Sequence, residues 1–115
     1  MKEILLSDLL SLPIKNNKIQ IFSFEYQSSS FERNGLLKIG AIVETISRQE
    51  LLINIIVNSV QDFSIASLSG AMCIDGFEII DHSDDGWIKD ASIEVTDFED
   101  GRIHFIAKNI RIIPL

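Results

Sequence analysis

The chain has 115 residues, 46% hydrophobic and 23% charged, with 10 Lys or Arg against 17 Asp or Glu and a formal net charge of -7. Such a chain fits one domain, 1–115, able to bury roughly two thirds of the surface it exposes when unfolded, and lies far from the polar compositions that stay disordered. The acidic balance argues against nucleic acid, whose phosphates need a basic footprint, and apolar runs broken by Glu44, Asn54 and Asn58 fall short of the roughly 20 residues that span a membrane.

At the N-terminus Ile4, Leu5, Leu6, Leu9, Leu10 and Leu12 recur at helical spacing until Pro13, which predicts one short helix whose apolar stripe lies on a sheet face or over one end of a sandwich. Glu3 and Asp8 interrupt this stretch and no small-residue cleavage site follows, so it does not resemble a secretory signal and a cytoplasmic address is expected. Beyond Pro13 the pattern is that of strands. Ile is nearly twice as common as Leu, and β-branched side chains lose rotamer freedom in helices but pack well on a pleated surface.

From Lys18 the period is two, through Ile19 and Ile21 and then, with parity shifted, Phe22, Phe24 and Tyr26; the shift predicts a bulge near Phe22. Gln27 to Ser30 reads as a turn or loose loop. Leu36 to Ile46 and Leu51 to Val57 form a predicted hairpin joined by Ser47, Arg48, Gln49 and Glu50, with Leu51, Ile53, Ile55 and Val57 on one face and Asn54 and Asn58 on the wetter one. Phe63 to Ile80 reads as two strands joined at a tight Asp75-Gly76 turn. In the last hairpin, a three-residue loop Glu99-Asp100-Gly101 with Gly101 left-handed aligns Val95 with Phe105 and Ile93 with Ala107 on one apolar face, whereas a two-residue loop mixes polar and apolar residues. A later parity change, from Ile103, Phe105 and Ala107 to Ile110 and Ile112, predicts a second bulge near Lys108 or Asn109. The expected fold is mainly β: an antiparallel β-sandwich or open β-barrel of about six to eight strands with one short N-terminal helix and Ile53, Ile55, Val95, Ile103 and Phe105 in the core.

Catalytic chemistry has little support. Asp81-His82-Ser83-Asp84-Asp85-Gly86-Trp87-Ile88 partly matches a calcium loop, but Ser92 stands where a bidentate Glu is required and the flanks read as strands, so an Asp-rich turn with Gly86 at positive φ is expected. His82 and His104, the two histidines, are too few for zinc, and Cys73 lacks a paired thiolate; no metal and no cofactor are expected. Cys73, between Met72 and Ile74, reads as a small buried apolar side chain, and His104 as a cross-strand partner near Thr96 and Asp97. No nucleophile elbow or phosphate-binding glycine loop occurs.

The informative feature is segregated charge. Ten of the 17 acidic residues fall between Asp75 and Gly101, where Lys89 is the one basic residue, and the rest of the chain is slightly basic. Such asymmetry points to a basic partner or a cation. Trp87, among Asp84, Asp85, Gly86 and Asp90, reads either as an aromatic anchor ringed by charge or as a lid on one end of the core.

In size, acidity, β-rich patterning and the acidic stretch from Asp75 through Asp81-His82-Ser83-Asp84-Asp85-Gly86-Trp87 to Asp97-Phe98-Glu99-Asp100-Gly101, the chain resembles the small acidic immunity proteins with which bacteria block their own and their siblings' toxins. The resemblance implies a cytoplasmic protein, not an enzyme, that binds a basic toxin domain, often a nuclease. The residues expected to contact that partner are Asp81, Asp84, Asp85, Trp87, Asp97, Glu99 and Asp100. Rival readings are an adaptor subunit or small-ligand-binding barrel with the acidic stretch as a solvated rim, and a small hydrolase pairing a carboxylate with His82 or His104.

Overall fold

The computed structural model describes residues 2–28, 35–66, 72–87 and 91–115. In chain order the elements are β1 (Lys2–Ile4), α1 (Leu6–Leu10), β2 (Ile14–Ser28), β3 (Gly35–Thr45), β4 (Glu50–Ile65), β5 (Met72–Ile74), β6 (Phe77–Asp81), β7 (Ile93–Asp97), β8 (Ile103–Ala107) and β9 (Asn109–Pro114). All pairings are antiparallel, in the order β1-β6-β7-β8-β4-β3-β2-β5, with β9 also on β4. The fold is mainly β, an open antiparallel sheet of the sandwich or open-barrel kind, with α1 as the one α-helix among the described residues.

The strand β4 belongs to both halves of this sheet. Its first part pairs with β3 on one edge and β9 on the other, and from Gln61 it pairs with β8. Between these regions Ser59 and Asp62 take positive φ of 57° and 51°, and the register to β8 shifts between Gln61 and Ser64. The bend brings the two halves around one core: Ile53, Ile55 and Val57 of β4 join Ile79, Val95, Ile103 and Phe105, all essentially closed to water. Just past the bend Phe63 spans the halves, its ring 6.3 Å from those of Phe24 and Tyr26 on β2 and 6.2 Å from that of Phe105 on β8.

The hairpin register follows the apolar alternation. Val95 faces Phe105 and Ile93 faces Ala107, and Gly101 is left-handed at φ 65°, a conformation that costs glycine little. The bulge predicted near Phe22 occurs, the β2–β3 register shifting between Ile21 and Ser23; near Lys108 the parity change marks the passage from β8 to β9 instead of a bulge, and the Lys108 amide donates to Asn58 O at 3.1 Å. The β3–β4 connection covers 46–49, one residue earlier than expected.

Three expectations are corrected. The helix is shorter than its apolar stripe; Leu6 and Leu10 reach the core, Leu5 and Leu12 are exposed, and Ser11 ends the turn at φ 55°. Ahead of it lies β1, too short at 3 residues to display a period. Asp75-Gly76 is not a hairpin turn, because β5 pairs with β2 while β6 pairs with β7 and β1; the pair is a corner where the chain leaves one half of the sheet for the other. Residues 67–71 of that stretch, like Ser29 and Ser30 of the expected 27–30 turn, lie outside the described residues.

Phe105 is closed to water on every side. Phe105→Ala is therefore expected to cost about 3–5 kcal/mol in urea unfolding, since both transfer energy and a cavity follow from the truncation.

Candidate functional site

On β6, β7 and β8 the inward residues alternate with Glu78, Glu94, Thr96, His104 and Ile106, which form the outer face. The chain leaving β6 folds back over that face. Asp81 Oδ1 accepts the Ser83 amide at 2.9 Å, the Asp85 amide donates to His82 O at 2.9 Å, and Gly86 turns the chain at φ 81°, where a side chain is disfavoured. The His82 amide donates to Ser92 O at 2.8 Å.

These turns lay the His82 ring against Glu94. His82 Nδ1 lies 2.9 Å from Asp85 Oδ2 and His82 Nε2 lies 2.9 Å from Glu94 Oε1, while the other Glu94 oxygen, Oε2, takes His104 Nε2 at 2.9 Å. Trp87 stacks on His82, ring centroids 3.8 Å apart and planes within 11°. His82 is 8% exposed and Trp87 is half-buried. Both partners of the His82 ring are acceptors when ionised, so only a protonated ring, donating from both nitrogens, satisfies both carboxylates at once.

The electrostatics agree. Burial disfavours the charged His82 ring, but the hydrogen bonds and charges of Glu94 and Asp85 outweigh it and raise its pKa above the ordinary imidazole value. The His104 hydrogen bond, helped by that from His82, holds Glu94 below the ordinary carboxylate value against the cost of its partial burial. The backbone and hydroxyl hydrogen bonds from Ser83 lower Asp81, and Lys2 adds to them. Lys2 pairs with Asp81 across β1 and β6. Among the described residues no buried side-chain polar atom lacks a partner. Beside the stack a shallow pocket of about 270 Å³ is lined by Gln61, Trp87, Ala91 and Ile106.

The seven residues expected to contact a partner do not form one surface. Asp81, Asp84, Asp85 and Trp87 lie where β6 ends, and Asp97, Glu99 and Asp100 lie where β7 ends. These are opposite ends of antiparallel five-residue strands, about 14 Å apart at 3.4 Å per residue. Asp84 and Asp85 are exposed, as are Glu99 and Asp100, and Asp81 is half-buried. Asp97 corrects the expectation of a surface charge. It is 3% exposed, its Oδ1 accepting the amides of Glu99 and Asp100 and its Oδ2 that of Arg102, all at 3.2 Å, so it organises the turn from within.

Basic groups temper the far end: Lys18 Nζ is 3.8 Å from Asp75 Oδ1, and Arg102 Nη1 donates to Cys73 O at 3.1 Å. Cys73 also departs from its buried reading; Met72 and Ile74 point inward on β5 and Cys73, between them, is exposed. His104 does pair with Thr96 across the strands, but its ring goes to Glu94, one step along the diagonal. Glu94 was not singled out from sequence. The signal was present: once Val95 faces Phe105, Glu94 and His104 share the outer face as diagonal neighbours.

Among the described residues no helix is long and apolar enough to cross a membrane, and no group of three or more His, Cys, Asp or Glu is arranged to hold a metal. No protein-family model, curated protein or solved structure matches the chain.

Two outcomes are expected. Asp97→Ala should lower unfolding free energy by about 1.5–3 kcal/mol, because three amides lose a charged acceptor in a part-buried turn. For pH, a raised folded-state pKa means that His82 contributes fully below about 6.5 and that its contribution is lost as pH rises through the folded value. A lowered one means that Glu94 contributes fully above its ordinary value of 4.5 and loses that contribution as pH falls. In thermal melts the gap between wild type and His82→Gln should thus be widest in mildly acidic buffer and close on the alkaline side.

Proposed function

We propose that this chain is a cytoplasmic binding protein that neutralises a basic protein partner, in the manner of a bacterial toxin-immunity protein, and that the partner docks at the end of the sheet carrying Asp84 and Trp87. The observation that carries this reading is the neighbourhood of Trp87. A half-buried indole walls a shallow pocket with Ile106 and Ala91, and exposed carboxylates of Asp84 and Asp85 stand on the same loop. An apolar centre with a charged rim is the anatomy of a binding hot spot, and the acidic rim suits Lys or Arg on the partner. The alternative in which His82 is the base of a small hydrolase is weakened by its hydrogen bonds: each ring nitrogen is already engaged by a carboxylate, so neither is open to a substrate proton.

The substitution that tests the surface is Asp84→Lys. Asp85 is unsuitable because its carboxylate holds His82, so its replacement alters the loop as well as its charge. With the partner captured from the native host and identified, association rates measured across a range of salt should show a several-fold slower encounter for Asp84→Lys and a flatter salt dependence, while Asp100→Lys at the far end stays near wild type. Association of Asp84→Lys at the wild-type rate at low salt would refute docking at this end.

A further inference from the structure

We propose that His82 is a positioning residue that works as a fixed cation: protonated, it ties Asp85 and Trp87 to Glu94 on β7, and removal of its ring proton loosens the hold on the loop that carries Asp84 and Trp87. The geometry requires one proton more than a neutral ring has. Neutral imidazole offers one N–H and one lone pair, yet both His82 nitrogens stand 2.9 Å from carboxylate oxygens. Without the proton, one nitrogen would point a lone pair at an anion and two carboxylates would flank an uncharged ring.

The surroundings favour release rather than rearrangement. Asp85 faces the ring from its own loop, its carboxyl held below the ordinary value first by the N-terminal amino group and then by His82, and Glu94 faces it from β7. Glu94 is also fixed by His104 of β8, so it stays with the sheet. Asp81 and Lys2, where β6 meets β1, balance each other on the flank. Trp87, stacked flat on the ring, gains most from a cation beneath it, because an indole face attracts positive charge. Loss of the proton therefore weakens the Asp85 bond and the indole stack together, and the raised pKa of His82 sets the change on the alkaline side of the ordinary imidazole value.

The consequence for docking rests on the function proposed above, whereas the charge state of His82 is measurable without any partner. Trp87 is the one tryptophan and His82 and His104 the two histidines, so the probes are unambiguous. In ¹⁵N-labelled protein, long-range ¹H–¹⁵N spectra, assigned with His104→Gln, should show both His82 nitrogens protonated in mildly acidic buffer and a midpoint above about 6.5. Trp87 emission should change with that midpoint in wild type and be flat with pH in His82→Arg, which keeps a stacking cation with several donors. A His82 midpoint at or below about 6.5, or Trp87 emission that ignores the His82 titration, overturns the proposal and leaves docking at Asp84 untouched. If the spectra bear out the cation but Asp84→Lys binds normally, the docking reading alone falls.

Discussion

Everything in this fold depends on β4 bending without breaking its pairing. A 16-residue strand is long enough to serve two sheet halves only if it turns between them, and a flat strand would leave Ile53, Ile55 and Val57 facing water. The turn is made by Ser59 and Asp62 at positive φ, a region in which Asp is enriched among non-glycine residues. The neighbour bends at the same level. β8 becomes β9 at Lys108, Asn58 pairs with Asn109, and their side chains are joined by an Asn58 Nδ2 to Asn109 Oδ1 bond of 2.7 Å. Two irregular strands in step keep their ladder, so the corner costs few hydrogen bonds.

Placing ten acidic residues within one stretch sets a second constraint, and the structure meets it in two ways. Asp97 is turned into the protein and satisfied by backbone amides of its own turn, which needs no counter-charge. Glu94 and Asp85 instead share the ring of His82, and Glu94 also meets His104. The first solution fixes a β-turn through backbone donors alone. The second couples a loop to the proton, since its central cation belongs to the one residue type that titrates near neutrality without a large shift.

Much of this was legible in the residues and some of it could not be. Alternation decided the Val95–Phe105 register, and parity changes located the bulge near Phe22 and the break between β8 and β9 at Lys108, because burying one face of a strand penalises every other phase at once. The Asp75-Gly76 corner misled because the same dipeptide suits a hairpin turn and a crossing between sheet halves; what separates them is whether β5 finds β2 or β6, a long-range competition. Cys73 followed the same pattern, its exposure fixed by which strand β5 joined. At the site, Gly86 and the Asp-rich turn were visible locally, and the exposure of Asp84 with them. The His82–Glu94 bond was not, since nothing in the spacing from 82 to 94 tells that the loop folds back over the outer face.

The division of the acidic residues also changes how their charge acts. Charges screened over about 8–10 Å at physiological salt behave independently when they stand about 14 Å apart. The net charge of -7 is therefore a poor guide to the field a partner meets. At one end, Glu99 and Asp100 share their corner with Lys18 and Arg102, near Asp75 and the Cys73 carbonyl. At the other, His82 is enclosed and already matched by Asp85 and Glu94, so its positive charge does not reach outward to offset Asp84. There Lys2 balances Asp81, and the exposed Asp84 stands on the loop that brings Trp87 to the apolar pocket.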